Sequence, residues 1–130
     1  MHAFRAAVEA RDSDAMAATL ADDVRFTSPV AFQPYDGKPI TAAILRGVLR
    51  VFDDFRYERE IVSADGRDLA LVFRARVNGR EIQGCDFLHL DDGGLIDDFT
   101  VMVRPLSAAQ ELAAAMGAQF DQIAAEAARA

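Results

Sequence analysis

Residues 69–103, LALVFRARVNGREIQGCDFLHLDDGGLIDDFTVMV, contain most of the information that decides the fold. Alternate residues from Leu69 to Ala75 are apolar, as expected for a strand with one buried face. Asn78-Gly79 is a strong signal for a two-residue hairpin, and Asp91-Asp92-Gly93-Gly94 predicts a second turn. Hairpins this short join antiparallel strands. The stretch therefore predicts three neighbouring antiparallel strands, over 69–77, 81–90 and 95–103.

The pattern extends in both directions from this stretch. Asp65-Gly66 predicts another turn, preceded by a strand over 55–63, so the last four strands form a meander. Helices and strands are segregated rather than alternating, which favours an α+β fold with a largely antiparallel sheet. The other predicted elements are a helix over 3–20 interrupted near 11–14 and capped again by Asp12 or Ser13, a strand over 24–28, an irregular loop over 29–37, a helix over 39–54, and an alanine-rich helix over about 107–128 begun by Ser107.

Length and charge limit the classes of function. A chain of 130 residues with 52% hydrophobic residues predicts a single domain over 1–130 with a substantial core. It has 14 Lys and Arg against 21 Asp and Glu, a net charge of −7. That balance argues against binding to nucleic acid, which needs a basic face, and against an anionic membrane surface. The sequence has no stretch of 18 apolar residues, so it predicts no membrane-spanning helix.

Cysteine content and the first residues add a few expectations. The one cysteine, Cys85, excludes an intrachain disulfide and is predicted to be a small buried residue. Two histidines without nearby cysteine or histidine partners predict no metal site, and no cofactor is expected. Residues 1–10 lack the apolar core of a signal peptide, so we expect a cytoplasmic protein.

Three stretches resemble a known family. They are residues 14–30 (DAMAATLADDVRFTSPV), the Asp36-Gly37 loop before a long helix, and residues 85–96 (CDFLHLDDGGLI). On these motifs residues 3–105 resemble the SnoaL-like branch of the nuclear transport factor 2-like superfamily, with its ketosteroid isomerases, polyketide cyclases and limonene epoxide hydrolases. The resemblance implies a cone-shaped cystatin-like α+β roll, in which a curved sheet wraps around helices and an apolar pocket opens at one end. Many members are homodimers, and the scaffold hosts enzymes and non-enzymes.

The catalytic positions of the ketosteroid isomerases are only partly kept. Their proton-shuttling aspartate, before a proline, corresponds to Ser28, and their oxyanion-hole tyrosine corresponds to Phe4. Their second oxyanion-hole donor, a protonated aspartic acid in an apolar pocket, corresponds to Asp86. One position of three is kept, so the resemblance does not imply steroid isomerisation by that mechanism. The Asp-Arg-Asp set of the epoxide hydrolases is not assembled either, because alternation places Arg74 and Arg76 on the polar strand face.

Asp86 is the candidate catalytic residue. Alternation places it on the face of Leu88 and Leu90, opposite Phe87 and His89. Burying a charged carboxyl among apolar residues costs several kcal/mol, so the group either takes up a proton or finds a donor. A raised pKa would suit a general acid, a general base or a neutral donor to a carbonyl ligand. The alternative is a structural polar group that bonds a neighbouring hydroxyl and orders the core.

The same inward face is predicted to carry the side chains that contact a ligand. An apolar pocket with few polar groups suits a small apolar molecule. The alternative is that these side chains are simply core. The candidate ligand-binding residues are Phe26, Ser28, Tyr35, Tyr57, Phe73, Leu88, Phe99 and Val101.

The outer sheet face carries Val72, Phe87 and Met102 among polar residues, which predicts a homodimer through that face.

The function that fits best is acid–base isomerisation, cyclisation or hydration of a small hydrophobic molecule bearing a carbonyl or hydroxyl group. Two alternatives stay open. One is a non-catalytic ligand-binding module, and the other is a protein-interaction module whose pocket is filled by core.

Overall fold

The computed structural model describes residues 2–130. Within that range the chain forms four helices and six strands. In chain order they are α1 (Ala3–Glu9), α2 (Ser13–Ala18), β1 (Leu20–Thr27), β2 (Tyr35–Asp36), α3 (Lys38–Val51), β3 (Asp53–Val62), β4 (Asp68–Val77), β5 (Arg80–Leu90), β6 (Ile96–Arg104) and α4 (Leu106–Arg129).

The strands form one curved sheet in the order β2-β1-β6-β5-β4-β3. Strands β3 to β6 are an antiparallel meander, as the turn signals predict. Strand β1 pairs antiparallel with β2 and parallel with β6, so the first long strand lies beside the last. The α+β fold with a mostly antiparallel sheet is therefore confirmed.

The inner face of the sheet is the apolar face that alternation predicts. On β4 the residues Leu69, Leu71, Phe73 and Ala75 are all buried, whereas Arg76 is exposed. Helix α3 packs against this face, and its Ala43 is fully buried. The helices thus cover the inner face, and the inward-facing polar groups of the sheet lie between the two layers.

Helix α4 packs closely against α3. A Cβ atom at Gly47 would lie 2.8 Å from Cδ1 of Ile123, so the absence of a side chain at Gly47 permits this approach. Glu126 then joins the two helices, because its carboxylate oxygens lie 2.6 Å from Nε of Arg46 and 3.1 Å from Nη1 of Arg50. The alanine-rich helix is therefore anchored on the domain.

Two predicted boundaries in the first half of the chain are wrong. Strand β1 begins at Leu20 rather than at residue 24, because the amide of Ile96 donates to the carbonyl of Thr19 (2.8 Å) and Leu20 pairs with Ile96 on β6. Helix α3 ends at Val51 rather than at residue 54. Phe52 is already extended and β3 begins at the next residue.

Three smaller expectations also need correction. Ser107 is not the cap of the last helix, since α4 begins at Leu106 with Pro105 in the N-cap position. The loop over 29–37 is not wholly irregular, because Tyr35 pairs with Phe26 in the short strand β2. Cys85 is half-buried rather than buried, because strand alternation places it on the outer sheet face. Of the two candidate caps of α2, Asp12 is the one that caps the helix, since its side chain accepts from the amide of Ala15.

No helix within residues 2–130 combines the length and hydropathy that crossing a membrane requires.

Candidate functional site

Asp86 lies in the middle of the inner sheet face. It is on β5, opposite Leu71 of β4 and Val101 of β6. Among the described residues it is the only buried acidic side chain, with 6% of its surface exposed. The strand alternation that places Leu88 inward also places Asp86 inward, and Phe87 points to the opposite face. The position predicted from sequence is thus the position observed.

Tyr57 is the hydrogen-bond partner of Asp86. Its hydroxyl donates to Oδ2 of Asp86 over 2.7 Å. Burial raises the pKa of Asp86 to about 7, and the hydrogen bond from Tyr57 partly opposes that rise. Burial and the nearby carboxylate raise the pKa of Tyr57 well above its usual value. Near neutral pH, Asp86 is therefore populated in both protonation states, whereas Tyr57 keeps its proton.

This pair lies on the wall of an apolar cavity of about 50 Å³. One water molecule needs about 10–15 Å³ of such volume, so the cavity has room for a few waters or a small fragment. Its polar side chains are Arg11, Tyr57 and Asp86. The other lining residues are Phe4, Val8, Met16, Phe26, Leu45, Val48, Leu49, Phe52, Phe55, Phe73, Phe99 and Val101.

Aromatic side chains pack against the ring of Tyr57. Phe55 stacks on Phe73 with ring centroids 4.8 Å apart, and Tyr57 packs edge-on against Phe55 at 5.0 Å. Phe73 in turn occupies the space over Gly84, where an added Cβ would lie 2.3 Å from Cζ of Phe73. The position of the Tyr57 hydroxyl therefore depends on a glycine two residues before Asp86.

Arg5 contacts the same tyrosine from α1. Its guanidinium carbon lies 5.8 Å from the centroid of the Tyr57 ring. This distance is within the range of a cation–π contact. Two carboxylates orient the guanidinium, with Nε 2.7 Å from Glu9 and Nη1 3.0 Å from Glu60. The positive charge opposes, in part, the rise of the Tyr57 pKa.

The structure divides the predicted ligand-binding residues between two cavities. Those that line the Asp86 cavity are Phe26, Tyr57, Phe73, Phe99 and Val101. Ser28 and Tyr35 instead line a second cavity of about 170 Å³, bounded by α3 and α4.

Phe26 borders both cavities, and Leu88 is buried in the core beside them. The hydroxyl of Ser28 accepts a hydrogen bond from the amide of Val30 (3.2 Å). Ser28 therefore belongs to a different environment from Asp86.

Two features of the Asp86 cavity are not anticipated from sequence. The sequence predicts Arg11 only as part of a break in the first helix. The signal that could reveal its role is a basic residue placed between two short helices. The contribution of Phe52 is missed because the predicted helix extends too far. The aromatic spacing Phe52, Phe55, Tyr57 is the signal that could reveal this wall.

No group of three or more His, Cys, Asp or Glu side chains within residues 2–130 is arranged to hold a metal ion. His89 lies on the outer face, away from Asp86, as alternation predicts. Its Nδ1 is 2.6 Å from Oδ1 of Asp97, and this hydrogen bond raises the pKa of His89.

A domain model described as a SnoaL-like domain matches residues 1–99. The chain belongs to the SnoaL-like domain family. The matched residues include Tyr57 and Asp86, whereas the end of β6 and all of α4 lie beyond them. A comparison with curated proteins finds no significant match.

Several solved structures are similar to this SnoaL-like protein. A steroid delta-isomerase from Pseudomonas aeruginosa is 44% identical, with 92% of this chain and 88% of that chain covered and a TM-score of 0.86. A protein with a cystatin-like fold from Silicibacter pomeroyi is 37% identical over 90% of this chain and 82% of its own, with a TM-score of 0.85. A proposed polyketide cyclase from Pseudomonas putida, 23% identical over 82% and 89% of the two chains, has the same fold with a TM-score of 0.66.

Proposed function

We propose that this SnoaL-like protein is an acid–base enzyme of the isomerase or cyclase type that acts on a small, mostly apolar carbonyl compound. Asp86 is the residue that moves the proton. The observation that carries the proposal is the hydrogen bond from Tyr57 to the buried Asp86 on the wall of a mostly apolar cavity. Buried carboxyls with a pKa near neutrality are well suited to general acid–base catalysis.

The chemistry needs only the groups already present. The Asp86 carboxylate takes a proton from the carbon next to the carbonyl group, which leaves an enolate and a neutral Asp86. Asp86 then returns a proton to another carbon of the conjugated system, so the double bond moves and no net proton is consumed. Tyr57 keeps its own proton and donates to Asp86, which limits the rise of the carboxyl pKa.

The size of the cavity argues for a substrate smaller than a steroid. Pockets for drug-sized ligands have volumes of at least about 300 Å³. The Asp86 cavity has about 50 Å³. The similar protein from P. aeruginosa is named a steroid delta-isomerase, which supports the reaction class. A steroid would require movement of the residues that surround Asp86.

The test is turnover of β,γ-unsaturated ketones of increasing size, from a cyclohexenone to a steroid. Conversion to the conjugated enone is followed by ultraviolet absorbance, and proton exchange next to the carbonyl is followed by NMR in D₂O. Asp86→Asn should reduce turnover by about 10²–10⁴-fold, the usual contribution of general acid–base catalysis. Turnover by folded Asp86→Asn at the wild-type rate would contradict the proposal.

One observation favours a second candidate, a ligand-binding module without turnover. Ser28 stands at the position that the proton-shuttling aspartate occupies in the ketosteroid isomerases. It lines the second cavity, bounded by α3 and α4, and not the Asp86 cavity. Asp86 is then the only acidic side chain among the residues that line its cavity, and a neutral Asp86 would simply donate to a carbonyl ligand. Binding of a ketone that depends on Asp86, with neither enone formation nor proton exchange, would establish this alternative.

A further inference from the structure

We infer that the compound bound in the Asp86 cavity is a keto acid, whose carboxylate is bound by Arg11. The inference rests on the proposed function only for the orientation of the ligand, with its carbonyl group toward Tyr57 and Asp86. It identifies the class of ligand that this site takes.

Arg11 and Asp86 line the same cavity at different depths. Asp86 is buried, whereas Arg11 is exposed at the turn between α1 and α2. Nη2 of Arg11 donates to the carbonyl oxygen of Leu49 over 2.7 Å, and Leu49 also lines the cavity. The guanidinium is therefore held at Leu49, on an exposed side of the cavity that Asp86 also lines.

Arg11 has no acidic partner among residues 2–130, although acidic residues outnumber basic ones by 21 to 14. Most arginines of this part of the chain form ion pairs, as Arg5 does with Glu9 and Glu60. A guanidinium group has five N–H donors, and the bond to Leu49 uses one. The remaining donors match a carboxylate, which arginine binds through two parallel hydrogen bonds.

The local backbone does not explain an arginine at this position. Arg11 has a φ of 53°. That value lies in the left-handed region, which glycine and asparagine adopt at lower cost. The amides of Arg11 and Asp12 close the turn by donating to the carbonyls of Val8 and Ala7, each over 2.9 Å, and these bonds need no particular side chain. The hydrogen bond to Leu49 near the end of α3 contributes to capping, which a lysine could also provide.

The test compares straight-chain methyl-keto acids of increasing length with methyl ketones that lack the carboxylate. Dissociation constants are measured by calorimetry. Hydrogen bonds to charged groups contribute about 1.5–3 kcal/mol, so wild type should bind at least one keto acid about tenfold to a hundredfold more tightly than its ketone. Arg11→Met should abolish that preference, so that the variant binds each keto acid no more tightly than the matching ketone.

Arg56→Met is the matched control. Arg56 is also exposed, and its Nη1 donates to a backbone carbonyl, that of Asp54, over 3.0 Å. It does not line the cavity. Removing this guanidinium changes the net charge as much as Arg11→Met does, so the preference for keto acids should survive in Arg56→Met.

Equal affinity of wild type for acids and ketones, a preference that persists in Arg11→Met, or no binding of any keto acid at millimolar concentration would each overturn the inference. Should Arg11→Met fail to fold, the wild-type comparison of acid with ketone decides alone. A preference that depends on Arg11, without turnover, would support the keto acid and contradict the acid–base function. Turnover of neutral ketones without such a preference would support the acid–base function and contradict the keto acid.

Discussion

Tyr57 and Asp86 share a hydrogen bond although their strands do not pair. Strand β4 runs between β3 and β5, with Phe73 opposite both Tyr57 and Gly84. The hydroxyl of Tyr57 therefore reaches across one whole strand to Oδ2 of Asp86, 2.7 Å away. The candidate site is therefore built from three adjacent strands. Substitutions in the middle strand, β4, should change the Tyr57–Asp86 hydrogen bond.

The first prediction is that Asp86 makes stability depend on pH. Its pKa is about 7 in the fold against an ordinary value of 3.8. Between these values the folded state holds a proton that the unfolded state has released, so the contribution of Asp86 to stability falls as pH rises from about 4 to 7 and is constant above. The full difference corresponds to about 4 kcal/mol. Urea unfolding of wild type and Asp86→Asn at several pH values measures it.

Asp86→Asn serves as its own control in that experiment, because every other titrating group is common to the two proteins. The stability of wild type relative to Asp86→Asn should therefore fall over the stated range. A difference that does not change with pH would show that Asp86 has an ordinary pKa in the fold.

The second prediction uses tyrosine fluorescence. The chain has no tryptophan and two tyrosines, so Tyr35→Phe leaves Tyr57 as the only emitter. A carboxylate that accepts a hydrogen bond from a tyrosine quenches its emission, so fluorescence should fall as pH rises through about 7. The transition should disappear in the Tyr35→Phe, Asp86→Asn double variant. Its persistence there would assign the titration to another group.

The third prediction concerns Gly84. An added methyl group would lie 2.3 Å from Cζ of Phe73 and 2.9 Å from the carbonyl oxygen of Met102. Overpacking of this kind costs about 1–3 kcal/mol, so Gly84→Ala should destabilise the protein by that amount in urea unfolding. It should also move Phe73 and weaken the Tyr57–Asp86 hydrogen bond, which the fluorescence titration detects.

Gly117→Ala is the control, and we expect it to change stability in the opposite direction. This glycine is inside α4 and an added methyl group meets nothing within 4 Å. Alanine in a helix interior is favoured over glycine by about 0.5–1 kcal/mol, so the variant should be more stable than wild type. Equal effects of the two substitutions would contradict the packing argument at Gly84.

The fourth prediction is the homodimer. Phe87 and Met102 are 42% and 60% exposed on the outer sheet face, beside a groove of about 300 Å³ that Val72 and Cys85 also line. Light scattering should give twice the mass of the chain, and Met102→Glu should reduce it to that of a monomer. Phe32→Glu, at a loop residue that is 94% exposed, should leave the mass unchanged. A monomeric wild type would exclude the dimer.

Strand alternation is sufficient to place single side chains on the correct sheet face. Asp86 inward and Phe87 outward follow from the period of two, and the Asn78-Gly79 turn determines which strands are neighbours. The Tyr57–Asp86 pair cannot be predicted in the same way. It depends on the register of β3, which shifts at two irregular points, and on the curvature of the sheet.

The errors have a common physical cause. Helical periodicity in the neighbouring residues assigns Leu20 and Asp53 to helices, yet both residues pair with distant strands. The division of Ser28 from Asp86 likewise depends on where Phe26 and α4 lie. Local patterns contain no information about such contacts between residues far apart in sequence.

The parallel pairing of β1 with β6 has a consequence for biosynthesis. Val24 and Phe26 leave the ribosome some seventy residues before β6 (Ile96–Arg104), which completes their side of the sheet. Until then β1 has only the two-residue strand β2 as a strand partner, and its other edge, which pairs with β6 in the fold, is open to solvent and to other chains. Contacts of such long sequence separation slow folding. Nascent chains stalled before residue 96 should therefore bind chaperones, and release from them should coincide with the emergence of β6.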